Sequence, residues 1–478
     1  MSAYCTRRRL LASAAVAGLA AALPTPLAAA APHQLIVARR SIVVNGKSAS
    51  VFGLHRADGQ SGLVLDPGER FAVDLLNRLG EPTIIHWHGQ TPPPDQDGVT
   101  DTGYVAPIAA GATQRYDFAA RPGTHWMHSH HGLQEQALLA APLVVRTPED
   151  LRLDAQEVTV LLHDFSFRSP DEVLATVTGG KGMAHGGAPG AGPAGHTMSM
   201  PMPGRAAMDL NDFDYDAYLA NDRTLADPLV VRTERSGRVR LRLINGATST
   251  AFWVELGALG ATVLAVDGNP VAPLELRRLP LAQGQRVDLL LTMPSGGGAF
   301  PVIAQREGER QRTGIILASP GSAVARMPDL ASAPVGPIDL SLEARLVAAA
   351  PLPDRAPDVR QQITLTGGMM PYAWTLDGRS WENRQPLRVR GGQRMVIDLV
   401  NRSEMAHPMH LHGHHFQVVA IDGRRMAGAV RDTVLVPVGA TVSIAFDADN
   451  PGRWLLHCHN LFHMATGMMT EVAYDGIA

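Results

Sequence analysis

Cysteine is nearly absent: the chain of 478 residues has 2, against 19 His and 18 Met. A disulfide-stapled scaffold is thereby excluded, and imidazole and thioether groups are left as the abundant reactive side chains. An excess of one charge is lacking too. Lys plus Arg number 42 and Asp plus Glu 45, a formal net charge of −3, which argues against nucleic acid as a partner. Past the N-terminus no apolar run reaches the roughly 20 residues that a membrane span needs. Sustained helical periodicity is also missing, while 47 Gly and 35 Pro supply turn signals at short intervals. What is present, an apolar fraction of 45% in a chain long enough for about three domains, fits short strands around sizeable cores.

The N-terminus reads as an address. Thr6-Arg7-Arg8-Arg9 precedes an Ala/Leu/Val run ending near Leu23, and Ala28-Ala29-Ala30-Ala31 closes it. A charged start, a short apolar stretch and a small-residue cleavage site make residues 1–31 a secretory signal peptide, and the paired arginines resemble the twin-arginine type. A periplasmic location follows as the expectation. Cleavage would remove Cys5 and leave Cys458 as the sole thiol.

The mature chain repeats one pattern three times. Gly68–Asn77, Gly237–Asn245 and Gly392–Asn401 are alternating strands that end in Asn. A second echo follows in each third, beginning at Gly111, Gly284 and Gly439. Three similar β-sandwiches in tandem are predicted, over residues 32–148, 149–330 and 331–478. Nine residues after Asn77 comes His86-Trp87-His88, and nine after Asn401 comes His410-Leu411-His412; nine after Asn245 the chain reads Val254-Glu255-Leu256. The later echo behaves alike: His128-Ser129-His130 follows Pro122-Gly123, and His457-Cys458-His459 follows Pro451-Gly452, with no counterpart in the middle copy. The outer thirds are expected to carry metal ligands and the middle one to be a scaffold.

Residues i and i+2 of a strand face one way. Each His-x-His pair can thus present two imidazoles to one side, and four pairs supply eight, more than one four-coordinate ion uses, so a multinuclear site is expected. Cys458 must point away from His457 and His459, toward His407, His463 and Met468. A His₂Cys set with a weak axial thioether suits copper cycling between Cu(I) and Cu(II), and the thioether and the neighbouring histidine-only cluster argue against zinc. An electron accepted at Cys458 can then pass through its backbone into His457 and His459.

His86-Trp87-His88-Gly89, His128-Ser129-His130, His407-Pro408-Met409-His410-Leu411-His412-Gly413 and His457-Cys458-His459 with His463 and Met468 together resemble the four copper motifs of the multicopper oxidases, over essentially the whole mature chain. The resemblance implies an all-β fold of three tandem cupredoxin-like Greek-key sandwiches holding four copper ions. It implies type 1 copper on His407, Cys458, His463 and Met468, type 2 on His86 and His410, and a type 3 pair on His88, His128, His130, His412, His457 and His459. It also implies one-electron oxidation of a substrate at type 1, four times over, with O₂ reduced to water at the trinuclear cluster. Asp97, nine residues past His88, matches an acidic residue that the family keeps near that cluster and is expected to tune protons there. One position departs: where many members have a glutamate relay after the second type 1 histidine, this chain has Met464, as the copper-resistance protein A branch does. His125, His131, His414 and His415 fall outside the matched pairs and are expected to support or to be solvated; His33, His55 and His163 have no constellation around them.

Residues 181–208 carry five Met and two His in a Gly/Pro-rich stretch that cannot build a core. Thioethers prefer Cu(I), so this insertion is expected to gather cuprous ions, which makes a cuprous oxidase of copper tolerance the leading reading. Axial Met468 favours easily oxidised donors: Cu(I), electron-rich phenols and aromatic amines. The alternatives are a laccase-like oxidase of phenols and aromatic amines and, more remotely, a copper-storage or non-catalytic structural relative.

Overall fold

The computed structural model describes residues 31–179 and 210–477. Strands dominate, and the helices among the described residues are short, Pro170–Val177 being eight residues long. None of them is long and apolar enough to cross a membrane. The expected all-β class is found, as three pairs of stacked sheets. Strands between His33 and Val145 form two four-stranded sheets, those between Gln156 and Ala318 a six- and a five-stranded sheet, and those between Val359 and Tyr474 a seven- and a five-stranded sheet. The first sandwich closes on its own core, which includes Leu35, Phe71, Trp87 and Leu143. The cores of the second and third run into one another as a continuous apolar cluster.

The threefold repeat has a physical basis. Phe71–Asn77, Arg238–Asn245 and Arg394–Asn401 each pair antiparallel with the strand of the second echo, Thr113–Phe118, Arg286–Thr292 and Thr441–Asp447. Each terminal Asn is fully buried and does the same work. Asn77 Nδ2 donates to the carbonyls of Glu81 and Ile108, Asn245 Nδ2 to those of Thr250 and Leu281, and Asn401 Nδ2 to those of Met405 and Val436. Each Oδ1 accepts from the amide two residues on, at Leu79, Ala247 and Ser403. The Asn thus satisfies the backbone of the turn that launches the next strand, where a buried orphan would cost about 1–3 kcal/mol.

Candidate metal centres

Two strand pairs carry the histidines. In the first sandwich Ile85–His88 pairs antiparallel with Gly123–Ser129, putting His86 opposite His128. In the third, His407–Leu411 pairs with Arg453–Cys458, putting His410 opposite His457 and Met409 opposite Cys458. His130, His412 and His459 lie just past the strand ends, yet the ladder continues through their amides to Ile84, Leu455 and Pro408. All eight rings therefore leave the same face of their sheets. His86 Nε2 comes within 3.4 Å of His410 Nε2 across the junction of the two sandwiches. The remaining six fall into two triads. His88, His128 and His459 have ring centroids 5.0–5.7 Å apart. His130, His412 and His457 lie 5.1–5.4 Å apart, with the Nε2 atoms of His412 and His457 at 3.0 Å.

Cys458 faces the other way, into the apolar core with Met409, Leu411 and Met468. Its Sγ lies 3.7 Å from His407 Nδ1 and 3.6 Å from His463 Nδ1, which are themselves 3.1 Å apart. Met468 is fully buried, and its backbone brackets the site: its carbonyl accepts from Cys458 N and its amide donates to the His463 carbonyl. Burial pushes the Cys458 thiol up, so an uncompensated thiolate is disfavoured there and a cation is what would stabilise it.

The outer nitrogens decide what the inner ones can do. His86 Nδ1 donates to the Asp97 carbonyl at 2.9 Å, His412 Nδ1 to Asp97 Oδ2 at 2.8 Å, His410 Nδ1 to the Asp432 carbonyl at 2.9 Å and His457 Nδ1 to the Cys458 carbonyl at 2.9 Å. His128 Nδ1 has Glu135 Oε2 at 2.9 Å. His88 is reversed, donating from Nε2 to Asp432 Oδ1 at 3.0 Å. Each bond fixes a tautomer with a bare lone pair turned inward. Burial, reinforced by neighbouring rings, holds His88, His128, His407, His410 and His457 well below the usual imidazole range, so the rings are neutral. The same logic holds at the sulfur: His407 Nε2 donates to Ser403 Oγ, and His463 Nε2 to Asp212 Oδ1.

These arrangements fit metal. Bare Nε2 lone pairs meet at 3.0 and 3.4 Å, a repulsive contact unless a cation lies between them. His88 Nδ1, His128 Nε2, His130 Nε2 and both nitrogens of His459 are buried with no hydrogen-bond partner among the described residues, a cost that metal ligation removes. Soft sulfur with two imidazoles at one centre and imidazoles alone at the other match copper chemistry.

Asp97 lies against His412 and His86. Burial alone would raise its carboxyl, but the two imidazoles outweigh this and hold it well below the carboxylate range. Its position depends on Gly98, whose φ is +77° and whose missing Cβ would fall 1.8 Å from the Ile85 carbonyl. Met464 packs against an apolar cluster with Val99, Leu455 and Met469. His414 is buried against the Tyr474 hydroxyl at 2.7 Å, and His415 bonds the Gly89 carbonyl at 2.8 Å and Asn269 Nδ2 at 2.8 Å. His125 lies 3.2 Å from the Pro122 carbonyl, and His131 is partly exposed. His33 pairs with Glu69, His163 with the Gly246 carbonyl. The expected signal peptide, residues 1–31, and the Met-rich stretch 181–208 lie outside the described residues, except for Ala31.

Four buried side chains at the site carry no motif in the sequence. Asp212 holds His463, Glu135 abuts His128, and Asp432 holds His88 and, through its carbonyl, His410. Arg286 of the second sandwich grips Asp432. Arg431-Asp432 is the available signal, two charges inside the otherwise uncharged, β-branched-rich run Val430–Val436. The expectation that the middle sandwich is a scaffold alone needs amending on this account.

Multicopper oxidase family models match residues 39–150, 180–321 and 354–476. The chain is 34% identical to multicopper oxidase MmcO of Mycobacterium tuberculosis, over 85% of this chain and 80% of that protein. It is 25% identical to copper resistance protein A of Escherichia coli, over 85% and 86%. Among solved structures, Fet3p, a multicopper oxidase that functions in iron import, superposes with a TM-score of 0.75 at 18% identity, over 92% of this chain and 90% of that one. With three cupredoxin-like sandwiches and two buried imidazole clusters that fit copper, the chain belongs to the multicopper oxidases, copper-dependent oxidoreductases that use O₂.

Proposed function

We propose that the chain is a cuprous oxidase working in copper tolerance, exported to the periplasm behind a twin-arginine signal at residues 1–31, with sandwich boundaries after residues 148 and 330. In this reading His407, Cys458, His463 and Met468 hold type 1 copper, and His86 with His410 holds type 2. His88, His128 and His459 hold one ion of the type 3 pair, and His130, His412 and His457 the other, four ions in all. Copper so bound supplies one-electron oxidation of the donor at the sulfur centre and four-electron reduction of O₂ to water at the cluster. Cys458 passes the electron along its own backbone to His457 and His459, and the bond from His457 Nδ1 to the Cys458 carbonyl ties the two centres together. Asp97 keeps His86 and His412 in their ligating tautomers and stays ionised beside them, its Oδ1 without a hydrogen-bond partner among the described residues.

The observation that carries the cuprous reading is Asp212. Four residues after Met208, the last residue of the Met-rich segment, Asp212 bonds His463 Nε2 at 3.1 Å. Five thioethers therefore precede, in the chain, the carboxylate that touches a sulfur-centre ligand, and soft sulfur selects Cu(I). A neighbouring cavity lined by Leu210, Glu307, Met405, Pro408 and Asn460 offers about 40 Å³, room for an ion or a water and not for an aromatic ring. The test is deletion of residues 181–208 in the copper-loaded enzyme. Cu(I) oxidation is expected to fall at least tenfold more than oxidation of a bulky phenol. Equal losses, or a larger loss with the phenol, would overturn the cuprous assignment in favour of a laccase-like oxidase.

A further inference from the structure

The middle sandwich offers no counterpart to the His-x-His pairs, yet one of its side chains reaches the cluster. Arg286 opens the strand Arg286–Thr292 and is fully buried. Its guanidinium forks onto Asp432, Nη1 to Oδ1 at 2.7 Å and Nη2 to Oδ2 at 2.5 Å. Nη1 also donates to the Gly284 carbonyl, and Nε to the Thr124 carbonyl. One side chain thus bonds all three sandwiches. Asp432, held in this way, fixes an imidazole from each outer sandwich: Oδ1 accepts from His88 Nε2 at 3.0 Å, and its carbonyl accepts from His410 Nδ1 at 2.9 Å.

Two glycines record how closely this element is packed. A Cβ on Gly89, next to His88, would fall 2.5 Å from Arg286 Nη2 and 2.9 Å from Asp432 Oδ2. A Cβ on Gly284 would lie 2.9 Å from the His459 ring and 3.2 Å from that of His88. The Gly284–Arg286 turn is pressed onto the cluster itself. Behind it the charges alternate. Asp267 accepts from Arg286 N at 2.8 Å and Arg431 Nη1 at 3.1 Å, and Arg431 Nε bonds Glu343 at 2.6 Å, all buried.

We propose that Arg286 is a positioning residue for the copper cluster: by forking onto Asp432 it locks the acceptor that keeps His88 ligating through Nδ1 and His410 through Nε2. The fork is the necessary feature. Lysine in its place would hold one Asp432 oxygen and leave the carboxylate free to turn, and His88 Nε2–H would lose its fixed acceptor. Loss of such an outer partner typically weakens metal retention about 10- to 100-fold.

The experiment compares copper-loaded Arg286→Lys and Asp432→Asn with Arg242→Lys. Arg242 is an equally buried arginine paired with Asp288 and Glu157 and bonded to Thr124 Oγ1, with no bond to Asp432 or to a cluster histidine among the described residues. In the first two variants the blue type 1 band should persist, while the type 2 electron paramagnetic resonance signal changes and a chelator strips cluster copper about tenfold faster or more. Arg242→Lys should lower the melting temperature and leave that signal and the stripping rate at wild-type values. Asp432→Asn keeps the heavy-atom shape and so reports even where Arg286→Lys does not accumulate. The proposal is overturned by unchanged signal and stripping in Asp432→Asn, or by Arg242→Lys perturbing the cluster as much as Arg286→Lys does. It rests on the assignment of the eight imidazoles to copper, which fails separately: wild-type protein would then lack the cluster signal altogether.

Discussion

Replacing Asp212 with Asn tests the sulfur centre through a residue that ligates nothing. The carboxylate is fully buried and accepts three hydrogen bonds: Oδ1 from His463 Nε2 at 3.1 Å and from the Tyr372 hydroxyl at 2.6 Å, and Oδ2 from Asn460 Nδ2 at 2.6 Å. An amide cannot accept at both ends. Turning its NH₂ toward His463 would confront Nε2–H with another donor, so it must face Asn460. Asn460 cannot flip to receive it, because its Oδ1 already accepts from the amides of Phe462 and His463. One donor–donor contact is left, worth about 1–3 kcal/mol. The lost charge acts on the metal. Oδ1 lies 3.1 Å from His463 Nε2, and with the imidazole ring between them a charge roughly 5 Å away at an effective dielectric near 20 is worth about 3 kcal/mol. For a one-electron couple that is about 130 mV, an upper bound because an ion held by His463 would lie beyond Nδ1. Removing a negative charge disfavours the more positive Cu(II). The type 1 potential in Asp212→Asn should therefore rise by several tens of millivolts, read by redox titration of the blue band. An intact band with an unchanged or lowered potential would refute the reasoning.

Two further outcomes follow from the geometry. Cys458→Ser should abolish the blue band and turnover and lower copper by one per chain, while the type 2 resonance survives, because His457 and His459 face the opposite side of the strand; metal analysis and resonance on one sample check this. Glu307 has its own acid–base signature. Burial pushes its carboxyl up from the ordinary 4.5 to about 7, although Oε1 accepts from Ile338 N at 2.7 Å. The folded state therefore holds a proton that the unfolded chain has released, and the associated stability, about 3 kcal/mol, is full below pH 4.5 and lost as pH rises through 7. Denaturant titrations from pH 4.5 to 8 should show a stability difference between wild type and Glu307→Gln that changes over this range, and a constant difference would count against it.

Sequence spacing reached the parts of this molecule that depend on local geometry. Alternation along a strand sets which way His457, Cys458 and His459 point, whatever the rest of the chain does, and the repeated Asn marks where each strand must end because its side chain closes the following turn. The opposing groups were out of reach for the same reason. Asp212 meets His463 across 251 residues and Asp432 meets His88 across 344, and no period links such positions. Arg286 and Asp288 even alternate as an ordinary solvated strand would, until the neighbouring sandwiches bury them. Strand geometry selects which side chains converge, and packing between sandwiches selects what orients them.

That division explains why two centres of different chemistry can share one short peptide. Register opposes Met409 to Cys458 and His410 to His457 in a single ladder, so the sulfur and the imidazoles leave opposite faces of the sheet by necessity. A slip of one residue would exchange the faces and put the thiol among the histidines. What pins the register is therefore also what keeps the centres apart. Asn401 contributes at the head of this ladder: its Oδ1 accepts from Ser403 Oγ at 2.8 Å, and that hydroxyl in turn receives His407 Nε2 at 2.6 Å. The residue that ends a strand in all three sandwiches thus also aims His407 in the third, where the fold's recurring turn reaches the sulfur centre.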